Sequence, residues 1–407
     1  MKSPWYWRVV KTLAGLVSLA VIGVTVLLVS MWVDHTRTTS LPEPTGTFAI
    51  GRTTCVWTDR AQPELMAPDP GAKRTVLAWI WYPAIPQRPS QQVADYLPGP
   101  WLSAVENQRG TLIKDVLTRD LTQVQTHSYR DADISPQQRT YPVILLRAGL
   151  AGLVTGNTSF AEDLASNGYV VVGFDAPYRS SVVVFPDGRV IARAPQNNAD
   201  LLSGSEQGQL AIKLVQAWSA DMSLALDQLE RLNTADPSGR FLGRLDMQRV
   251  GVFGYSLGGA TALQFCHDDS RCKAGIDVDG TPLGSVISEG VTQPFMFLME
   301  DMSKPDPEGN QIAGNIRSIY DRLPSDRRVW ITIRGANHFG FSDDGALLKS
   351  PFLTTLLHRI GVIPLDGRRQ LRIASHCISK FFDVHLRGAP ASELYVHPED
   401  SEIEYIY

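Results

Sequence analysis

The sequence predicts an α/β domain built on a mostly parallel β-sheet. Short apolar runs rich in β-branched residues recur along the chain, and amphipathic helical patterns lie between several of them. Such alternation is typical of parallel strands joined by helical crossovers, with helices covering both faces of the sheet. The runs that predict strands are residues 75–82, 142–147, 169–174, 249–254, 273–278, 294–299 and 328–333.

Two helical patterns are clearest between these runs. Residues 210–229 place large apolar side chains at spacings of three and four, which forms one stripe of an amphipathic helix. The polar triplet Asn157, Thr158 and Ser159 can start another helix, and Gly168 is a residue type that commonly ends one.

Composition limits the class of protein. The 407 residues are 43% hydrophobic and 20% charged, which is enough to bury a large core. Net charge is −4 and no basic run is present, so the electrostatic surface expected of a nucleic-acid-binding protein is missing. The expected partners are therefore small-molecule or lipid substrates rather than nucleic acid.

An uncharged apolar run at residues 12–33 predicts a single transmembrane helix, since about 1.5 Å per residue carries it across a hydrocarbon core of roughly 30 Å. Lys2, Arg8 and Lys11 precede the run, so residues 1–11 are expected in the cytoplasm and the main domain outside it, in the periplasm or at the cell surface. The alternative is a cleaved secretory signal. The run exceeds the roughly 7–15 residues of a signal core, which favours an uncleaved membrane anchor.

Beyond this anchor the chain divides into three predicted parts. The polar, proline-containing residues 34–46 predict a linker. Residues 47–390 contain no internal repeat and no sharp change of composition, so they predict one domain, followed by a C-terminal tail at 391–407. Within the domain, residues 180–208 predict either a lid over a binding site or a surface hairpin.

The four cysteines can form disulfides if the domain lies outside the cytoplasm. Cys266 and Cys272 flank a short polar turn, which predicts either a disulfide or two buried free thiols; Cys55 and Cys377 are the second candidate pair. The neighbouring His267 lacks the companions and spacing of a zinc-ligand set, so we expect no metal site.

The segment VGVFGYSLGG, residues 250–259, places Ser256 directly after a predicted strand. Gly254 and Gly258 lie two positions to either side, and a sharp turn from strand to helix has no room for side chains there. Reactive residues of open α/β sheets gather at the carboxyl ends of the strands. The segment therefore predicts a nucleophilic serine on a strand-to-helix elbow, with a serine in an ordinary tight turn as the alternative.

A nucleophilic serine needs a histidine to accept its proton. His338 lies in a loop containing glycine and asparagine just past the predicted strand 328–333, and it is the expected base. The other histidines that follow Ser256 lie in a polar turn, in helical patterns or in the tail: His267, His358, His376, His385 and His397.

The acid that orients the histidine has two candidate positions at strand ends. Asp279 follows the predicted strand 273–278, whereas Glu300 and Asp301 follow the predicted strand 294–299. Asp277 lies inside its strand and is expected to be a buried structural residue. The residues alone do not choose between Asp279 and Asp301.

Several stretches resemble the platelet-activating factor acetylhydrolase family of the plasma and isoform II type. These are GYSLGGATAL, KAGIDVDG, QPFMFLMED, RRVWITIRGANHFGFSD, and RAGLAG followed by DLASNGYVVVGFDAPYRSS. The resemblance covers most of residues 70–390 and implies an α/β-hydrolase fold with a triad of Ser256, Asp279 and His338. It also implies an oxyanion hole formed by the backbone N–H groups of Leu257 and Leu150. Relatives usually carry histidine where this chain has Ala148.

The resemblance implies a serine hydrolase of carboxylic esters that forms an acyl-enzyme and needs no cofactor. Its expected substrates are short-acyl lipid esters of the 1-alkyl-2-acetylglycerophosphocholine type, in a protein held on a membrane by its N-terminal helix. The alternatives are a general or cutinase-type polyester esterase and an inactive, membrane-tethered binding domain.

Overall fold

The computed structural model describes residues 4–86, 92–109, 119–303, 307–347, 358–359, 361, 364–395 and 400–407. The strands are β1 (Thr39–Ser40), β2 (Ala49–Pro63), β3 (Lys73–Ala84), β4 (Val93–Asp95), β5 (Val124–Arg130), β6 (Tyr141–Arg147), β7 (Val170–Asp175), β8 (Val182–Val184), β9 (Val190–Ala192), β10 (Leu245–Tyr255), β11 (Ala274–Val278), β12 (Phe295–Met299), β13 (Arg328–Ile333) and β14 (Ile403–Tyr405). The helices are α1 (Pro4–Thr36), α2 (Gly99–Arg109), α3 (Thr158–Ser166), α4 (Gly204–Ala235), α5 (Leu257–Asp268), α6 (Val286–Glu289), α7 (Pro307–Tyr320), α8 (Asp343–Leu347) and α9 (Gly367–Arg387).

Within the described residues a twelve-stranded sheet forms the centre of the fold, in the order β1-β5-β2-β3-β7-β6-β10-β11-β12-β13-β14 with β4 beside β5. The strands from β7 to β13 are parallel, whereas β2, β3 and β7 pair antiparallel with one another in turn. Every predicted strand is present, and the predicted α/β class with a mostly parallel sheet is confirmed.

Helices bury both faces of this sheet, which is why its central strands are apolar throughout. On one face Phe253 of β10 packs edge-on against Phe160 of α3 and Phe382 of α9. On the other face Val252 lies in a core with Met222 of α4 and Leu263 of α5. Adjacent residues of β10 thus serve opposite cores, as strand geometry requires.

The two predicted helices are α4 and α3. The N-terminus of α3 is held differently from the expectation, because the side chain of Asn157 makes no capping hydrogen bond. Instead the carboxylate of Asp343 accepts hydrogen bonds from the N–H groups of Thr158 and Ser159, at 3.0 and 3.1 Å. Gly168 follows α3 with a φ of +90°, which glycine adopts without strain.

The N-terminal helix α1 is apolar, and its side chains are exposed along most of its length. Among the helices in the described part of the chain, α1 alone is long and apolar enough to cross a membrane. Both a membrane anchor and a signal sequence have these properties. The predicted linker lies against the domain: it forms β1, which pairs with β5, and Leu41 is 1% exposed. The predicted tail likewise adds β14 to the sheet.

One cysteine pair is bonded and the other is not. Cys266 and Cys272 form a disulfide between the end of α5 and the start of β11. The second candidate pair is wrong: Cys55 and Cys377 are free. Cys55 packs toward the α4 and α5 face of the sheet, whereas Cys377 of α9 belongs to the core on the opposite face.

The segment 180–208 contains a hairpin of β8 and β9, two 3₁₀ turns and the start of α4, and Val182 to Val184 are buried. The hairpin is thus part of the wall of the domain. Trp101 of α2 is also buried and packs edge-on against Trp79, with ring centroids 5.3 Å apart.

Candidate active site

Ser256 lies at the sharp turn between β10 and α5. Its backbone adopts φ 57° and ψ −127°, a strained conformation for a residue with a side chain, and its N–H donates to the carbonyl of Val278 at 2.8 Å. A Cβ atom added to Gly254 would lie 2.1 Å from the carbonyl oxygen of Gly258, and one added to Gly258 would lie 2.2 Å from that of Arg147. The turn therefore requires both glycines.

His338 begins the short 3₁₀ helix that follows β13, and its ring lies between a hydroxyl and a carboxylate. Its Nε2 lies 3.1 Å from Oγ of Ser256, and its Nδ1 lies 2.7 Å from Oδ2 of Asp279. The imidazole also stacks on Tyr255 with centroids 4.9 Å apart. These contacts hold the ring in one orientation.

Asp279 directly follows β11 and is 7% exposed. Its φ is 55°, its N–H donates to the carbonyl of Leu298, and its Oδ1 accepts from the N–H of Glu300 at 2.8 Å. One carboxylate oxygen is thus fixed by the backbone while the other faces His338.

The competing candidate, Asp301, contacts other groups. Its Oδ2 accepts from the N–H of Gly335 at 2.7 Å, and its Oδ1 accepts from the N–H of Ser303 at 2.9 Å. Burial alone would raise the pKa of Asp301, but these hydrogen bonds lower it below its ordinary value. Asp301 thus braces the turn that leads to His338.

Asp277 is fully buried beneath the elbow. Its Oδ1 accepts from the N–H of Gly280 at 2.8 Å, and a Cβ atom on Gly259 would lie 1.9 Å from that oxygen. Burial raises its pKa well above the ordinary range. Its contacts are those of a structural residue, as predicted from its place inside the strand.

Two carboxylates set the protonation of His338. Burial lowers its pKa, but the hydrogen bond and charge of Asp279, together with the charge of Glu300, raise the pKa above its ordinary value. Glu300 is half-buried, and burial and the charge of Asp279 raise its own pKa. The site therefore favours an imidazole that gains a proton readily.

Sequence reasoning missed a residue that holds the His338 loop. Gln370 of α9 is fully buried; its Oε1 accepts from the N–H of Asn337 at 3.1 Å, and its Nε2 donates to the carbonyl of Asn337 at 2.8 Å. Asn337 in turn caps the 3₁₀ helix through Gly340. A lone glutamine in a distant helical pattern carries no local signal for this role.

The loop after β6 lies directly against Ser256. A Cβ atom on Gly149 would lie 3.0 Å from Cβ of Ser256, and the loop turns back through a hydrogen bond from the N–H of Gly152 to the carbonyl of Gly149. Leu150 lies within this turn, and Leu257 opens α5, where the first N–H groups have no intrahelical acceptor. Ala148 is 1% exposed and lines a cavity beside this loop.

A cavity of about 410 Å³ opens beside Ser256, which is within the usual size range for small-molecule sites. We call it the Ser256 cavity; its walls include Gly149 and Tyr255, which adjoin the serine, and Phe339, which follows His338 and is 71% exposed. Much of its lining is apolar, with Leu97, Leu121, Leu153 and Leu347. Among the described residues, no group of three or more His, Cys, Asp or Glu side chains is placed to hold a metal ion.

Comparisons with known proteins agree with this arrangement. The curated platelet-activating factor acetylhydrolase of Canis lupus familiaris is 27% identical over 221 residues, which cover 50% of this chain and 48% of the relative. Cutinase 1 of Thermobifida cellulosilytica is 25% identical over 204 residues, covering 50% of this chain and 62% of the cutinase. A solved structure of a ferulic acid esterase from Streptomyces cinnamoneus matches with a TM-score of 0.73 and 25% identity, over 91% of this chain and 99% of that chain.

The chain spans about half the length of the first curated relatives that it matches. A family model described as platelet-activating factor acetylhydrolase, isoform II, matches residues 34–387, which is most of the chain. By that match the chain belongs to the platelet-activating factor acetylhydrolase isoform II family, within the α/β-hydrolase superfamily.

Proposed function

We propose that this protein is a serine hydrolase of carboxylic esters. The observation that carries the proposal is the hydrogen-bonded chain from Ser256 through His338 to Asp279, at 3.1 and 2.7 Å. These side chains follow β10, β13 and β11, so three parallel strands deliver them to one edge of the sheet. Family membership and relatives named as esterases support the same reaction class.

The geometry supports an acyl-enzyme mechanism. Nε2 of His338 accepts the Ser256 proton as Oγ attacks the ester carbonyl, and Asp279 stabilises the resulting imidazolium. The anionic intermediate accepts hydrogen bonds from the N–H groups of Leu257 and Leu150, each worth about 3 kcal/mol in comparable sites. His338 then gives its proton to the leaving alcohol, and water hydrolyses the acyl-enzyme by the same route in reverse.

The proposed substrates are short-acyl lipid esters. The apolar lining of the Ser256 cavity suits an alkyl chain, and the family name refers to such a lipid. We further propose that α1 is an uncleaved single-pass anchor with the catalytic domain outside the cytoplasm. The Cys266–Cys272 disulfide supports that side, because disulfides persist in oxidising compartments.

A second candidate substrate class is favoured by two relatives. The matched cutinase and the ferulic acid esterase are named for other carboxylic esters. Turnover of p-nitrophenyl esters from acetate upward, measured beside a 2-acetyl phospholipid and a polyester film, separates the two classes. An inactive binding domain would turn over none of them.

The nucleophile is tested by labelling the intact protein with a fluorophosphonate. The wild-type protein is expected to become labelled and Ser256→Ala to remain unlabelled, because the reagent bonds to an activated serine oxygen. Asp279→Asn is expected to reduce ester turnover by about 10⁴-fold, since it loses the acceptor for the Nδ1 proton.

The matched control is Asp301→Asn, which makes the same change of charge on the neighbouring strand end. It is expected to retain most of the turnover. Labelling of Ser256→Ala as strong as the wild type would overturn the nucleophile assignment, and greater damage from Asp301→Asn than from Asp279→Asn would overturn the choice of acid.

A further inference from the structure

Arg193 lies just past β9 and forms part of the wall of the Ser256 cavity. Its backbone position is fixed at the base of the hairpin: its N–H donates to the carbonyl of Ser181 at 3.0 Å, and the N–H of Ala194 donates to that of Tyr178 at 3.0 Å. Ser181 lines the same cavity. The hairpin therefore presents Arg193 to the cavity from a rigid base.

The charge of Arg193 is unusual for this cavity. Among the described residues that line it, Arg193 is the only lysine or arginine, and Asp344 is the only carboxylate. The remaining lining is neutral and largely apolar. A guanidinium in such a place provides the cavity with a single anion-binding group.

The guanidinium is incompletely satisfied by its neighbours. The Arg193 side chain is 17% exposed, and its Nη1 is shielded from solvent without a hydrogen-bond partner among the described residues. Its ion-pair partner is Oδ2 of Asp200, 3.5 Å away on a carboxylate that is itself 57% exposed. Because this ion pair is long and its carboxylate is exposed, it neutralises the guanidinium only weakly, so an anion supplied by a ligand beside Arg193 would be stabilised.

A second cavity meets the first at this side chain. It has a volume of about 240 Å³, and Ser181 and Arg193 line both cavities, while Pro195, Asn198 and Leu201 line only the smaller one. Arg193 therefore borders both the Ser256 cavity and a neighbouring space.

We propose that Arg193 binds the phosphate of a phospholipid ester and so selects such esters over neutral ones. A guanidinium can donate two parallel hydrogen bonds to a phosphate, which suits this role. The inference rests on the proposed ester hydrolase function and adds to it the part of the substrate that is recognised away from the scissile bond.

The test compares two substrates that differ in one group. These are 1-alkyl-2-acetylglycerophosphocholine and 1-alkyl-2-acetylglycerol, which carry the same acetyl ester and alkyl chain, dispersed in the same neutral detergent micelles. For Arg193→Gln we expect kcat/KM on the phospholipid to fall by about 10- to 100-fold, mainly through KM, because a hydrogen bond to a charged group is lost. Turnover of the acetylglycerol is expected to stay at the wild-type level, and Arg193→Lys is expected to recover part of the loss.

The matched control is Asp200→Asn, which removes the ion pair but keeps the cation. It is expected to leave turnover of the phospholipid unchanged or to increase it. Equal losses on both substrates in Arg193→Gln, or the same loss in Asp200→Asn, would show that the ion pair only holds the hairpin and would overturn the proposal. Absence of turnover of either ester by the wild-type protein would instead contradict the proposed function.

Discussion

At the scale of single residues, Glu300 places a second carboxylate charge near His338, in addition to that of Asp279. It follows β12, its backbone N–H donates to Oδ1 of Asp279 at 2.8 Å, and its side chain raises the pKa of His338 through its charge. The base must be neutral to accept a proton from Ser256. A raised pKa therefore moves the acid limb of the activity profile upward, so that activity is lost at a higher pH as the solution is acidified.

Glu300→Gln is expected to move that acid limb to lower pH. Removing the negative charge destabilises the imidazolium, so the pKa of His338 falls and the neutral base persists in more acidic solution. The backbone N–H of residue 300 still donates to Asp279. The measurement is kcat/KM on p-nitrophenyl acetate from pH 5 to 9, with Asp301→Asn as the control that leaves the limb in place. A limb that moves to higher pH in Glu300→Gln would contradict this account.

The sequence predicted Ser256 and His338 because each lies in a glycine-containing loop that follows a strand. It could not separate Asp279 from Asp301, because the two follow neighbouring strands. They differ in that backbone N–H groups engage both oxygens of Asp301, whereas Asp279 keeps one oxygen for His338. The roles of Gln370 and Arg193 could not be predicted from the sequence for another reason. Tertiary packing brings each to the site from an element that carries no local motif.

At the scale of elements, the Cys266–Cys272 disulfide connects α5 and β11, the two elements next to Ser256 and Asp279. It joins the end of α5, the helix that begins beside Ser256, to the start of β11, the strand that ends just before Asp279. Both sulfur-bearing residues are buried, at 0% and 1% exposure. The bridge therefore fixes the far ends of the two elements whose near ends adjoin Ser256 and Asp279, the proposed nucleophile and acid.

Replacing both cysteines by alanine is expected to lower the free energy of unfolding by about 2 kcal/mol, as chain-entropy arguments give for so short a loop. The change should appear as a lower melting temperature, with ester turnover at 25 °C largely retained because the site contacts remain. Cys55→Ala is the control, since Cys55 is a free thiol. Equal melting temperatures for the double variant and the wild type would contradict a stabilising role.

The sequence predicted the strands that are buried on both faces and missed several of the remaining strands. The strands missed were β2, β5 and β14 among others. In β2 only Ile50, Gly51, Arg52 and Trp57 are buried, and several of its side chains are polar. Pairing with β3 over most of its length determines its structure. No continuous apolar run marks such a strand in advance.

At the scale of the whole molecule, the end of α1 is bonded to the wall of the Ser256 cavity. Nη1 of Arg119 donates to the carbonyl of Asp34, and Nε of Arg119 donates to the carbonyl of Leu347, each at 3.1 Å. Leu347 lines the cavity, and the N–H of Asp120 donates to the carbonyl of His35. These hydrogen bonds hold the end of α1 against the domain.

The proposed anchor predicts that the protein is recovered in the membrane fraction at full length. Detergent should release it whereas high salt should not, because burial of α1 rather than surface charge would hold it. Protease added to the outer side of sealed cells or spheroplasts should degrade the main domain. A soluble mature protein that begins near Ser40 would instead identify residues before it as a cleaved signal.

The C-terminal strand has a consequence for self-association. β14 pairs with β13 through Ile331, Thr332 and Ile333, and without it the backbone groups of β13, the strand that leads to His338, would form an open sheet edge. Open edges are templates for pairing between chains. Residues 403–405 therefore act as a cover, and a chain cut before residue 400 should be lost to aggregation before any slowing of its chemistry could be observed.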